Sequence, residues 1–133
     1  MASFPGTSTE RQQTGTKAED DALAFLQGQG LTPVTRNFRC RFGEIDLIMQ
    51  EGNTLVFVEV KTRKDCAARF DDYGLPCEAV NTEKQRHILY TARIFLEKHP
   101  TDKYIRFDVV EIYRSEDGKS TRVNHIESAF EAR

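Results

Sequence analysis

The sequence has no tryptophan and only three cysteines, Cys40, Cys66 and Cys77, dispersed over 133 residues. They form no Cys-x-x-Cys pair, and His87, His99 and His125 are equally scattered, which argues against a structural zinc site built from clustered thiols and imidazoles. An odd, dispersed set also argues against a disulfide framework, and ordinary reduced thiols are expected. No apolar run approaches a membrane span: the segment Leu55–Val58 holds four residues, against the roughly 20 that a spanning helix needs. No basic stretch followed by an apolar one opens the chain, so no signal peptide is expected and the expected location is cytoplasmic. Positive charge is not in excess either. Lys and Arg number 19 against 21 Asp and Glu, a net charge of −2. No global field therefore draws the chain to nucleic acid, and any such binding must rest on local patches.

What is present suits one domain with a real core, at 38% hydrophobic and 30% charged residues. Residues 1–14, rich in Ser, Thr and Gln, read as a flexible arm, and 15–133 as a single domain. Ala18, Ala22, Leu23, Phe25 and Leu26 form an apolar stripe that predicts a helix from Gly15 to Gln29, closed by Gly30. Pro33 then opens an extended stretch, PVTRNFRCR. Residues 43–49 and 54–61 predict two strands joined as a hairpin, with a polar loop over 62–80 after them. Thr82 with Gln85 reads as a capping box for a second helix over 83–98, whose apolar face is Ile88, Leu89, Ala92, Phe95 and Leu96. YIRFDVVEIY (104–113) is a further strand, EDGK (116–119) a turn, and TRVNHI (121–126) a last strand. The order α-β-β-β-α-β-β gives an α/β domain: a mixed central sheet of about five strands flanked by helices.

Three charges interrupt the most apolar strands. Asp46 stands between Ile45 and Leu47, while Glu59 and Lys61 bracket Val60. Strand alternation places Leu55, Phe57, Glu59 and Lys61 on one face and Val56, Val58 and Val60 on the other. With Gly52-Asn53 as the hairpin loop, residue i faces residue 105 − i, so Asp46 falls opposite Glu59. Like charges so opposed destabilise a sheet unless a proton, a cation or solvent relieves them. Magnesium prefers oxygen ligands, keeps several waters, and is commonly held by one or two carboxylates plus substrate phosphate. A solvated polar patch at a strand end would use the same residues.

GEID (43–46), FVEVKTR (57–63) and RFDVV (106–110) resemble the YraN family of predicted endonucleases. That family is similar to the archaeal Holliday junction resolvases and to the restriction-endonuclease-like, PD-(D/E)xK folds. The likeness runs from Gly15, Glu19 and Ala22 through Arg36-Asn37 and YGLPCEAV to Lys84 and Ala129-Phe130. Ala18 stands where the family usually has glycine, which bears on how closely the first helix approaches its neighbours. The resemblance implies Asp46 and Glu59 as ligands of Mg2+ or Mn2+, Lys61 as the residue that positions water or steadies phosphate charge, and Glu19 as a further acidic catalytic residue. A first-turn glutamate that favours the helix dipole is the plainer reading of Glu19. DNA is the implied partner, with a homodimer by analogy to resolvases. Arg36, Arg39, Arg41, Arg63, Lys64, Lys84 and Arg86 are candidate nucleic-acid contacts. Arg106 and Asp108 read as a structural pair. The competing reading is a non-catalytic nucleic-acid-binding module that retains the nuclease fold.

Overall fold

Apolar residues at helical and strand spacing sort onto the two faces of one five-stranded sheet. The computed structural model describes residues 10–64, 82–115, 117 and 121–131, with the backbone alone for 10–16 and 64. Helix α1 (Glu10–Gly28) precedes β1 (Thr32–Cys40), β2 (Gly43–Glu51) and β3 (Thr54–Lys64); α2 (Thr82–Lys98), β4 (Tyr104–Arg114) and β5 (Thr121–Phe130) follow. The spatial order is β1-β2-β3-β4-β5, with β3 and β4 parallel and the other neighbours antiparallel. A parallel pair cannot be joined by a tight turn, and α2 lies in the crossover from β3 to β4. The expected α-β-β-β-α-β-β order and mixed α/β class are the observed ones.

Each helix buries its stripe on a different face. Ala18, Ala22 and Leu26 of α1 pack on Leu47, Met49, Val56, Val58, Val110 and Ile112. Ile88, Ala92 and Phe95 of α2 pack on Ile45, Ile48, Leu55, Phe57 and Phe107. Ala18 is 1% exposed, so its methyl group is itself part of the core. Phe57 stacks on Phe107 at 5.4 Å and meets Phe95 edge-on at 5.9 Å. Such ring pairs contribute about 0.5–1.5 kcal/mol beyond their buried area.

The β2–β3 hairpin closes at Glu51 and Thr54. Gly52 has φ 57° whereas Asn53 is not in the positive region, the pattern of a type II′ loop with glycine first. Residues 47–51 then pair with 54–58 in the expected register. Helix α1 starts at Glu10, earlier than Gly15, because Glu10, Arg11, Gln12 and Gln13 are good helix formers. Residues 10–14 are therefore helical rather than part of an arm, and 1–9 lie outside the described residues. Thr62, Arg63 and Lys64, expected in the loop, stay in β3 because they pair with Ile112, Tyr113 and Arg114. The last strand reaches Phe130, beyond the expected 126, by continuing along β4 past an irregularity near Asp108. The rest of the 62–80 loop, YGLPCEAV, Cys66, Cys77 and most of the EDGK turn lie outside the described residues. The Cys40 thiol is free and lies 3.4 Å from the Thr91 hydroxyl. Among the described residues no helix is long and apolar enough to cross a membrane.

Candidate functional site

The alternation in β3 decides where its charges go. Leu55 and Phe57 lie under α2, while Val56, Val58 and Val60 lie under α1. Glu59 and Lys61 therefore belong to the α2 face, at the C-terminal end of the strand. Glu59 is 6% exposed. The first turn of α2 brings Lys84 Nζ to 3.4 Å from Glu59 Oε2, with the Lys84 side chain 42% exposed. That ammonium is half-exposed, so it sits between the buried Glu59 carboxylate and solvent.

Asp46 does not occupy an ordinary ladder position. The β2–β3 pairing ends at Leu47 and Val58, so the backbone pair Asp46–Glu59 expected from the hairpin is not formed. Instead, the Val60 N–H donates to Asp46 Oδ2 at 2.8 Å, and the side chain replaces the missing ladder bond. The alternation slips at this residue: Ile45 packs under α2, yet Leu47, two positions on, packs under α1. Across β1 the register is held by Arg36–Leu47 and Phe38–Ile45, which sets Asn37 opposite Asp46. Asn37 has φ 55°, a left-handed conformation that asparagine tolerates better than most residues. Its amide donates to Glu19 Oε1 at 3.0 Å and to Glu44 Oε2 at 3.5 Å. Two irregular residues thus face each other at one sheet end. One turns a carboxylate towards β3, and the other ties α1 to the same place.

Glu19 is fixed by this arrangement: Arg36 Nη2 lies 3.4 Å from Oε1, and the side chain is 17% exposed. Burial pushes the Asp46 carboxyl up to about 8, with the Glu59 charge the next contributor and Glu19 adding to it; the Val60 N–H pulls the other way. Glu59 and Glu19 therefore both act electrostatically on Asp46. A consequence follows for pH. The folded protein retains a proton on Asp46 that the unfolded chain releases near 3.8. Metal-free stability should then fall as pH rises from about 4 to about 8, because over that range the folded state holds a proton that the unfolded chain has lost. Urea unfolding at pH 5 and pH 8 should show that decline in the parent and a much flatter profile in Asp46→Asn. Parallel profiles would place the proton elsewhere.

Lys61 pairs in backbone register with Glu111 of β4. Glu111 is fully buried, and its carboxylate is engaged by other donors: Arg63 Nε at 3.0 Å, Tyr113 Oη at 3.0 Å and Asn124 Nδ2 at 2.9 Å. Among the described residues nothing forms an ion pair with Lys61. Glu111 was invisible as a site neighbour in the sequence, because only the parallel β3–β4 register brings it beside Lys61. Asn37 carried a sequence signal, since Asn is enriched where φ is positive.

The candidate basic residues divide. Arg36 binds Asp20 at 2.9 Å, Arg39 is paired with Glu44, and Arg63 is held by Glu111. Arg41 and Arg86 are exposed, and among the described residues no carboxylate pairs with either. The Lys64 side chain lies outside the described residues. Arg106 and Asp108 form the expected structural pair, with bonds of 2.9 Å from both Nε and Nη2.

Among the described residues no group of three or more His, Cys, Asp or Glu side chains is assembled as a metal site. A magnesium ion does not require one: it can be held by two carboxylates, completing its octahedron with waters and phosphate. The donor set fits such an ion. Asp46 and Glu59 offer carboxylate oxygens, and a divalent cation between them would relieve their mutual repulsion.

A family model, described as "Uncharacterised protein family UPF0102", matches residues 18–112. The chain is similar to UPF0102 protein HEAR0176 of Herminiimonas arsenicoxydans, 43% identical over 93% of this chain and 91% of that protein. It is also similar to UPF0102 proteins of Caldicellulosiruptor bescii, 46% identical over 90% of this chain and 98% of that one, and of Psychromonas ingrahamii, 44% identical over 88% of each.

Proposed function

The chain belongs to the UPF0102 family, the family its motifs resembled under the name YraN, and we propose that it is a magnesium- or manganese-dependent endonuclease hydrolysing phosphodiester bonds in DNA. Branched or otherwise structured DNA is the proposed substrate class. The observation that carries this reading is the crowding of Asp46 against Glu59. Burial and like charge push Asp46 up to about 8, although it accepts the Val60 N–H. A doubly positive ion would supply the counter-charge that Asp46 lacks among the described residues and that Glu59 draws only from the half-exposed Lys84.

Asp46 and Glu59 would hold the cation, and Glu19, steadied by Asn37 and Arg36, adds negative charge beside them. The bound ion would polarise a phosphate oxygen and acidify a water. Lys61 shares the α2 face with Glu59, and its ammonium is suited to a nonbridging phosphate oxygen as negative charge grows there. Lys84, 42% exposed on its side chain and 3.4 Å from Glu59, would turn towards a phosphate once a cation takes its place beside Glu59. Arg41 and Arg86 would contact neighbouring phosphates, so binding should weaken steeply with salt. Two symmetric cuts in a branched substrate need two sites, which a homodimer would supply.

The test is an incubation of the purified protein with linear, flapped and four-way DNA, with and without manganese, beside Asp46→Ala. Cleavage that requires the metal and vanishes in Asp46→Ala is the expected result. DNA binding with no cleavage and no metal heat by calorimetry would favour a binding module that keeps this fold.

A further inference from the structure

The β1–β2 turn places Phe42 against Tyr90 of α2, with ring centroids 5.3 Å apart at 38°. Both rings are partly exposed, Phe42 at 36% and Tyr90 at 45%. The Arg41 guanidinium lies over the Phe42 ring at 5.1 Å. Tyr90 also lines a cavity of about 380 Å3 that has Leu89, Ile105 and Phe107 among its apolar walls and Arg86 and Arg93 among its charged ones. Among the described residues no carboxylate pairs with Arg41, Arg86 or Arg93. The two carboxylates that α2 itself carries, Glu83 and Glu97, stand near the two ends of the helix.

The position of this patch relative to the carboxylates is set by α2. Lys84 reaches Glu59, and His87 and Thr91 lie against Gly43. Gly43 has φ 151°, and a Cβ there would meet His87 Cβ at 3.5 Å, so the β1–β2 turn runs close along the helix. Tyr90 follows Lys84 by six residues, about 9 Å along the helix axis. At about 3.4 Å per stacked nucleotide, that rise corresponds to two or three nucleotides beyond Lys84.

Exposed aromatic faces flanked by guanidinia match unpaired bases on a phosphate backbone. Bases present π faces to the rings while the phosphates meet the arginines. A continuous duplex keeps its bases stacked on one another and cannot offer them. Resting on the nuclease reading above, we infer that Phe42 and Tyr90 form a stacking platform for unpaired bases of the DNA next to the scissile phosphate, with Arg41, Arg86 and Arg93 holding the backbone. Strands opened at a flap or junction would then be preferred over blunt duplex.

The test is run without metal, so that it does not depend on cleavage. A single-stranded oligonucleotide carrying 2-aminopurine and a blunt duplex of the same sequence are titrated with the full chain. Parent protein should bind the single strand more tightly and shift the 2-aminopurine fluorescence on stacking. Phe42→Ala and Tyr90→Ala should each weaken single-strand binding about tenfold and abolish the fluorescence change, while Tyr90→Phe keeps both. Equal affinity for the two DNAs, or alanine variants that bind as the parent does, would overturn the platform. Alanine variants that change only the oligomeric state would overturn it too, assigning the patch to a second copy of the chain. Absence of cleavage in the separate metal-dependent assay would remove the nuclease reading and leave this binding result standing.

Discussion

Lys61→Ala is expected to bind magnesium or manganese as the parent does and to cleave DNA about 10²–10³-fold more slowly. An ammonium cannot ligate a cation, so its loss leaves the Asp46–Glu59 pair intact. What disappears is a positive charge on the α2 face, two residues beyond Glu59, where a phosphate held at the carboxylates would gain negative charge. The environment leaves that charge available. Glu111, its backbone partner in β4, is already engaged by Arg63, Tyr113 and Asn124. For the same reason the fold should tolerate the change, because a partly buried lysine with no ion pair among the described residues supports little of it. Calorimetric metal titration alongside a cleavage time course separates the two effects. Cleavage at the parental rate would remove Lys61 from the mechanism, and loss of metal binding would show that it organises the carboxylates instead.

Asp108→Ala should cost about 3–5 kcal/mol of folding stability, the expected penalty for removing one member of a buried charge pair. Asp108 is fully buried and accepts four bonds: Arg106 Nε and Nη2 at 2.9 Å each, the Ser128 N–H at 3.0 Å, and His125 Nε2 at 2.7 Å. Burial alone would raise this carboxyl. The hydrogen bonds from His125, Arg106 and Ser128, with the Arg106 charge, outweigh it and hold the group below its usual value. Its contribution is therefore present above an unfolded value near 3.8 and lost as pH falls through the lower folded value. Alanine would leave the Arg106 side chain, 17% exposed, with Glu51 and Glu127 alone. It would also orphan the N–H of Ser128, whose φ of 52° marks an irregular point in β5. Denaturant unfolding at neutral pH measures the loss. A change below about 1 kcal/mol would mean that water takes over the role of the carboxylate.

Much of this structure was legible one element at a time. Alternation in β3 separated Leu55, Phe57, Glu59 and Lys61 from Val56, Val58 and Val60, and the packing agrees. The Gly52-Asn53 loop set the hairpin register because a two-residue turn leaves little freedom. The stripe Ile88, Ala92 and Phe95 is the buried face of α2. Arg106 and Asp108 lie on one face of one strand, so their pairing could be read locally. The site itself was less legible. Asp46 was expected to face Glu59 as an ordinary cross-strand neighbour, yet its carboxylate takes the Val60 amide where the ladder stops. Arg36, Arg39 and Arg63 read as candidate nucleic-acid contacts, yet each pairs with a carboxylate from another element, Asp20, Glu44 and Glu111 respectively.

The sequence by itself determined which side chains share a face, where the hairpin turns and which acids and lysine interrupt the apolar strands. Those properties follow from the 2.0 and 3.6 periodicities of single elements, which need no distant partner. Only the tertiary structure decided that β3 and β4 pair in parallel, that α1 brings Glu19 within electrostatic reach of Asp46, and that the start of α2 sets Lys84 on Glu59. Each of these depends on bringing together segments far apart in the chain, and residue order carries little record of which contacts repay that loss of freedom.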